Sequence, residues 1–144
     1  MENSTNKEVA DMLTELIFRF SGVLHRSPSQ MAGPKIHSHA FHVLYLLERS
    51  QEKRLSMSFL LTELKMTKQQ LSKIINELEE LHFIERVRTE RDRRNVFIKL
   101  TDSGSNYVKE KARAVSEYIE QRLDERDPQH TEAIRALLLQ LFTF

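Results

Sequence analysis

Apolar residues recur at three- and four-residue spacing between positions 71 and 81, a pattern typical of a helix with one buried face. Thr67 and Gln70 form a capping-box signature just ahead of it, which predicts that a helix begins at Thr67. The positions predicted to be buried are Leu71, Ile74, Ile75, Leu78 and Leu81. The positions predicted to face outward are Lys68, Gln69, Gln70, Ser72, Lys73 and Asn76.

A shorter capped helix is predicted immediately upstream, over residues 56–66. Its inward positions are Leu60, Leu61 and Leu64, and a tight turn follows at residues 65–66. A short helix, a tight turn and a longer helix make up a helix-turn-helix.

Two runs of strand-favouring residues follow, 84–88 and 96–100, on either side of a polar tip centred on Arg91, Asp92 and Arg93. The runs predict a β-hairpin. Five arginines between positions 86 and 94, against three acidic residues from 85 to 92, make this hairpin locally basic although the whole chain has a formal charge of only +1.

Apolar stripes also mark both ends of the chain. One comprises Val9, Met12, Leu13, Leu16, Ile17, Phe20 and Leu24, and the other Ile134, Leu137, Leu138, Leu141 and Phe142. A long charged helix is predicted after Thr101, and a last helix begins at Asp127-Pro128, an N-cap followed by proline. The terminal stripes either fold back on the central core or pack against a second subunit.

The polar outward residues bear on function, because Gln, Asn and Lys side chains pair with base edges in the major groove.

Length and composition predict a single cytoplasmic domain without a membrane partner. The chain has 144 residues, and its sequence shows no apolar run of membrane-spanning length and no leader. The absence of cysteine excludes a disulfide, a thiolate metal site and a cysteine redox switch.

These segments together resemble the MarR family of bacterial transcription regulators. The resemblance is carried by Leu60, Leu61 and Leu64, the helix 67–78, the residues 84–86, the triplet Asp92-Arg93-Arg94, and Leu100-Thr101 followed by Gly104. Two positions depart from the family, which usually has glycine where this chain has Lys65 and His82. If both backbones stay left-handed, each costs about 1 kcal/mol.

The resemblance implies a mostly α fold with a small β-hairpin wing: a winged helix-turn-helix DNA-binding lobe at about 36–100, with helical dimerisation regions at about 5–28 and 102–144. All of residues 1–144 then form one domain. The first, fifth and sixth helices of such a protein interleave with a second copy, and the homodimer sets two recognition helices about 34–36 Å apart on a palindromic operator.

Within that framework, Gln69, Gln70 and Lys73 are expected to read base edges, while Lys68, Ser72 and Ser58 hold phosphates. Arg93, with Arg91, is expected to enter the minor groove. Asp92 is expected to orient Arg94 or Arg88 through a carboxylate pair. The alternative is that the hairpin tip is a solvated turn and the outward Gln and Lys side chains are inert.

Regulators of this family commonly release DNA when a small aromatic or phenolic anion binds between the dimer helices and the DNA-binding lobe. His37, His39 and His42, with His25 upstream, are the candidate effector residues. Three interpretations remain: ordinary surface histidines, an effector site, or part of a zinc site, since His39 and His42 share a helix face. The residues define no metal-ligand set and predict no cofactor.

The predicted function is therefore a DNA-binding transcription regulator, most simply a repressor released by an effector. A zinc-responsive regulator and a winged-helix protein-interaction module without DNA binding are the alternatives. An enzyme is not predicted, because the chain has no glycine-rich phosphate loop, metalloprotease motif or serine elbow.

Overall fold

The structure is a computed structural model that describes residues 7–14, 34–89, 91–124 and 127–142. For residues 89, 92–94, 122, 124 and 141–142 it describes the backbone alone. Most of the predicted first stripe, from Leu16 to Leu24, and the effector candidate His25 lie outside the described residues.

Helices dominate the described chain, and three short strands form one sheet. The elements in chain order are α1 (residues 7–14, as far as it is described), α2 (Ser38–Arg49), β1 (Arg54–Ser56), α3 (Met57–Leu64), α4 (Lys68–Glu80), β2 (Ile84–Thr89), β3 (Asp92–Leu100), α5 (Asp102–Asp124) and α6 (Pro128–Phe142). This order confirms the predicted mostly α winged helix-turn-helix fold.

The helix-turn-helix forms where the sequence predicts it, because both of its helices are capped by their own side chains. The Ser56 hydroxyl accepts a hydrogen bond from the Phe59 amide at the start of α3. At the start of α4 the Gln70 amide donates to the Thr67 hydroxyl, and the Thr67 amide donates to Gln70 Oε1, which completes the capping box.

Both departures from glycine keep the left-handed backbone. Lys65 ends α3 at φ 50°, and His82 follows α4 at φ 59°. After α4 the His82 amide donates to the Glu79 carbonyl and the Phe83 amide donates to the Leu78 carbonyl, the two bonds of a Schellman ending. The fold thus tolerates non-glycine residues at both turns. A third left-handed residue, Lys53 at φ 51°, was not predicted.

The sheet has the order β1-β3-β2 and is antiparallel throughout. Strand β1 was missed, because three residues are too few to display the alternation that marks a strand. Strand β3 begins at Asp92, four residues before the predicted start at Val96. The register places Arg88 opposite Val96 and Thr89 opposite Asp92, so that residues 93–95 form a bulge within β3.

The core lies between α2, the helix-turn-helix, the sheet and the start of α5. Of the predicted inward residues of α4, three are fully buried, while Ile74 and Leu81 are half-buried against the core. The core residues are Ala40, Val43, Leu44, Leu47, Leu60, Leu71, Ile75, Leu78, Phe83, Ile84, Ile98, Leu100 and Val108. Burial of this cluster fixes α4 with one face in the core and the other outward.

A polar cluster joins α2 to the segment before β1 and to α5. Glu48 Oε1 lies 3.4 Å from Lys53 Nζ and 3.7 Å from Lys109 Nζ. Lys53 Nζ also donates to the Ser105 hydroxyl at 3.1 Å. Burial raises the pKa of Glu48, but hydrogen bonds with Ser105 and Lys53 and the charges of both lysines outweigh it, so the pKa lies below its ordinary value of 4.5.

Replacing Glu48 with glutamine is expected to destabilise the protein at pH 7 by about 1–3 kcal/mol, since it removes charged hydrogen bonds from a half-buried cluster. Because the folded pKa is lowered, the contribution of Glu48 is fully present above pH 4.5 and is lost as pH falls through the folded pKa. Urea unfolding from pH 7 to pH 3 should show the difference between the two proteins shrinking on acidification. Glu63→Gln, at an exposed position on α3, is the control. A difference independent of pH would contradict the prediction.

The chain divides into two units, Met1–Lys109 and Glu110–Phe144. In the second unit α6 begins as predicted, with the Gln129 amide donating to Asp127 Oδ1. Large apolar side chains on α6 are exposed: Ile134, Leu137, Leu138 and Leu139. No helix in the described parts of the chain is both long and apolar enough to cross a membrane.

Candidate nucleic-acid interface

The outer face of α4 is an open polar surface beside the wing, the hairpin of β2 and β3. Burial of Leu71, Ile75 and Leu78 turns the opposite side of the helix outward. A shallow depression runs along this side, lined by Lys68, Gln69, Ser72, Lys73, Asn76, Glu77 and Glu80. Four of the five predicted contact residues of α4 therefore share one surface.

Gln70, the fifth predicted contact residue of α4, also helps to cap the N-terminus of that helix. Its side-chain oxygen accepts the Thr67 amide at 2.9 Å, which directs the oxygen toward the start of the helix and makes the NH₂ group the part of the side chain better placed to pair with a base. Bidentate pairing with adenine requires the oxygen as well. The capping signature visible in the sequence thus already limits what Gln70 can read.

Ser58 lies exposed in the first turn of α3. Its hydroxyl is 3.1 Å from the Ser56 hydroxyl, which caps the same helix. The N-terminus of a helix favours negative groups, because its amide donors and dipole point outward. Ser58 is therefore placed where a phosphate oxygen would be stabilised.

The wing carries the other predicted contacts. Arg91 lies exposed at the turn between β2 and β3. The backbones of Asp92, Arg93 and Arg94 belong to β3, and the expected pairing of Asp92 with Arg94 or Arg88 involves side chains outside the described part of the structure. The bulge at 93–95 places Arg93 and Arg94 where the regular alternation of the strand is interrupted.

Arg86 does not contribute to the basic tip, although the sequence count included it. Its guanidinium donates to Glu79 Oε2 and to Asn76 Oδ1, both on α4. The wing and the recognition helix are thereby joined by a side-chain bridge. No sequence signal marks this bridge, since its partners lie seven and ten residues from Arg86 in different elements.

The acids of α4 are only partly compensated. Arg86 neutralises Glu79, whereas Glu77 and Glu80 line the same depression as Lys68 and Lys73. The positive charges lie in the first half of the helix and the negative charges in the second. An anionic polymer would therefore approach the N-terminal turns of α4, as the sequence predicts.

The candidate effector histidines lie at the start of α2. His37 occupies the N-cap position without a side-chain capping bond, and His39 and His42 are exposed in the first turns. Among the described residues no group of three histidine, aspartate or glutamate side chains is arranged to hold a metal ion. His25 lies outside the described residues, and the structure brings no ligand set together around the other three.

Comparison with known proteins gives one family. Residues 36–95 match the sequence model of the MarR family. No curated protein sequence matches the chain.

Several solved structures share the fold over nearly the whole chain. FabT of Streptococcus pneumoniae, solved in complex with DNA, is 22% identical with a TM-score of 0.75 and covers 96% of each chain. Sco3205 of Streptomyces coelicolor, a MarR family transcriptional regulator also solved with DNA, is 22% identical with a TM-score of 0.66, over 96% of this chain and 86% of its own. NadR in complex with 4-hydroxyphenylacetate is 20% identical with a TM-score of 0.60, over 97% and 93%. At these identities the likeness concerns the fold.

Proposed function

Because residues 36–95 of this chain form a winged-helix region of the MarR family, we propose that the protein is a sequence-specific transcription regulator that binds double-stranded DNA as a homodimer. The observation that carries the proposal is the outer face of α4, where four polar side chains predicted to contact DNA share one open surface beside a basic wing. The regulator acts where its operator lies, in the cytoplasm, and no catalytic step belongs to this function.

On the recognition helix, Gln69 and Lys73 read base edges, and Gln70 contributes its NH₂ group, because its oxygen is directed at the Thr67 amide. Lys68, Ser72 and Ser58 hold phosphates and set the register. Arg93 and Arg91 enter the minor groove from the wing, and Asp92 orients Arg94 or Arg88. These roles follow the residue types and their places on α3, α4 and the wing.

The homodimer rests on the apolar residues of α6. Leu138 and Leu139 are 43% and 55% exposed on a helix that offers a row of such side chains to solvent. Contiguous exposed apolar side chains mark surfaces that pack against another protein. A second copy is the occupant we propose, and it supplies the second recognition helix for a palindromic operator.

Release by a small aromatic or phenolic anion completes the proposed function, with repression as its outcome. The NadR structure with 4-hydroxyphenylacetate shares this fold, and His37, His39 and His42 lie exposed at the start of α2. With His25, these side chains are the candidates for pairing with the anion. Histidine-to-alanine variants that still bind DNA but no longer release it with such a compound would support this assignment.

Arg93→Ala is expected to weaken binding to every duplex and to lower the slope of log affinity against log salt by about one, because one phosphate-proximal cation is lost. Fluorescence anisotropy on a mixed-sequence duplex measures both quantities. Salt is varied between about 50 and 200 mM, a range over which the affinity of a protein that contacts several phosphates falls steeply. Arg113→Ala, which removes an arginine paired with Glu117 on α5, is the matched control. An unchanged slope and affinity in Arg93→Ala would remove Arg93 from the interface.

A further inference from the structure

The side-chain bridge from the wing to α4 sets the orientation of the Asn76 side-chain amide on the outer face of α4. Arg86 on β2 reaches two α4 residues that are three positions apart, Asn76 and Glu79. Residues at this spacing lie on the same side of a helix, one turn apart, so one planar guanidinium can reach both. Arg86 is two-thirds buried at its side chain. The bridge is therefore partly shielded from water.

The bridge fixes which way the Asn76 amide is turned. A guanidinium has five N–H donors and no acceptor, so only the carbonyl oxygen of an amide can face it. Arg86 Nη2 donates to Asn76 Oδ1 at 2.5 Å. The NH₂ group of Asn76 is then the end of the amide that is turned away from Arg86 and can donate to another molecule. Asn76 is held as a hydrogen-bond donor.

Asn76 lies where such a donor would meet DNA. It is exposed and lines the same depression as Gln69, Ser72 and Lys73. It follows Ser72 by four residues and Lys73 by three, so its side chain continues the row formed by the predicted contact residues. Asn76 was predicted to face outward but was not among the predicted DNA contacts.

We infer that Asn76 is a specificity-determining residue of this interface and that Arg86 is the positioning residue that sets its preference. A free asparagine pairs bidentately with adenine, accepting from N6 and donating to N7. With its oxygen turned toward Arg86, Asn76 presents its NH₂ group to the base and favours an edge without a competing donor. Guanine offers the acceptors N7 and O6 and thymine offers O4, whereas adenine offers N7 beside its N6 donor. This inference rests on the proposed function, because it concerns how the same surface reads DNA.

Arg86 has a second effect through Glu79. A carboxylate beside a bound duplex repels phosphates, and the guanidinium neutralises it. Removal of Arg86 therefore changes both the overall affinity and the orientation of Asn76. The two effects separate experimentally, since only the second alters which base is preferred.

The test compares the duplexes that the full chain and three variants retain from a random pool. In the wild type, one base pair of each half-site is expected to be guanine or thymine on the strand facing Asn76. Asn76→Ala should abolish the preference at that base pair alone, with a loss of about five- to tenfold on the preferred site, the value of one hydrogen bond to a base. Arg86→Ala should move the preference at the same base pair toward adenine, because the released amide can turn.

Lys99→Ala is the matched control. It removes the same charge from β3, the neighbouring strand of the same sheet, where Lys99 pairs with Glu85, without altering the bridge to Asn76. It should leave every base preference unchanged. Thermal unfolding of each variant establishes that the proteins compared are folded, and Asn76→Ala, at an exposed position, tests the inference even if Arg86→Ala does not fold.

A wild-type consensus that Asn76→Ala leaves intact would overturn the inference while the proposed function stands. The same holds if folded Arg86→Ala selects the wild-type base at that position. A wild type that selects no consensus at all would instead count against the proposed function.

Discussion

Leu138→Glu is expected to convert the protein to a monomer and to lower its affinity for a palindromic operator by about 10²–10⁴-fold. Leu138 is 43% exposed on α6 beside other large apolar side chains, and a carboxylate there would have to be desolvated in the proposed interface. Linking two half-site contacts through one dimer raises the effective concentration of the second contact, and this gain is lost when the dimer separates.

Light scattering after gel filtration reports the mass in solution, and anisotropy on a selected duplex reports the affinity. Gln140→Glu is the matched control, since it adds the same charge two residues away at an exposed polar position on the same helix. A Leu138→Glu protein that remains dimeric and binds with wild-type affinity would show that this face of α6 is not the dimer interface.

Gly104→Ala is expected to destabilise the protein by about 1–3 kcal/mol, the usual cost of overpacking a tight site. Gly104 is buried in the first turn of α5, and a Cβ there would overlap the Phe83 carbonyl oxygen and lie 2.7 Å from Leu100 Cδ1. The Phe83 carbonyl cannot move freely, because it accepts the Thr101 amide at 3.0 Å. Because the added Cβ would clash with a backbone oxygen, rotation of a side chain cannot relieve the overlap.

Urea denaturation monitored by circular dichroism measures this cost. Ser103→Ala, at the exposed neighbouring position of the same helical turn, is the control and should stay within about 0.5 kcal/mol of the wild type. Equal midpoints for Gly104→Ala and the wild type would mean that α5 can shift away from the end of α4 without cost.

The elements that the sequence predicted are those specified locally. The capping box of α4 needs only Thr67 and Gln70, and the Ser56 cap needs only the first turn of α3. The resemblance to the MarR family marked Lys65 and His82 as positions that usually carry glycine, and both have the left-handed backbone that glycine favours. Short-range signals of this kind are complete within a few residues, so they can be read without a structure.

The features that the sequence did not predict depend on distant partners. Strand β1 exists because Arg54 to Ser56 pair with Lys99 to Phe97 of β3, and no pattern within three residues reveals that pairing. The early start of β3 depends on the bulge opposite Arg88 and Thr89. Strand boundaries set by cross-strand pairing cannot be derived from the residues of one strand.

The candidate site likewise combines residues that local sequence patterns predicted with contacts that depend on distant partners. Lys68, Gln69, Ser72 and Lys73 were placed on one surface by helical period alone, and the structure brings them together. Arg86 was counted with the basic tip, because charge counting cannot detect a partner such as Glu79 on another element. The geometry therefore corrects the charge of the wing and adds Asn76 to the candidate base-reading residues.

The most direct test of DNA recognition by a dimer is selection of duplexes from a random pool by the purified full chain near physiological salt, followed by sequencing. The proposed function predicts a palindromic consensus whose half-sites are centred about 10–10.5 base pairs apart, one turn of DNA, matching two recognition helices related by two-fold symmetry. Retention without any consensus, or no retention, would contradict it and would favour a winged helix that binds another protein.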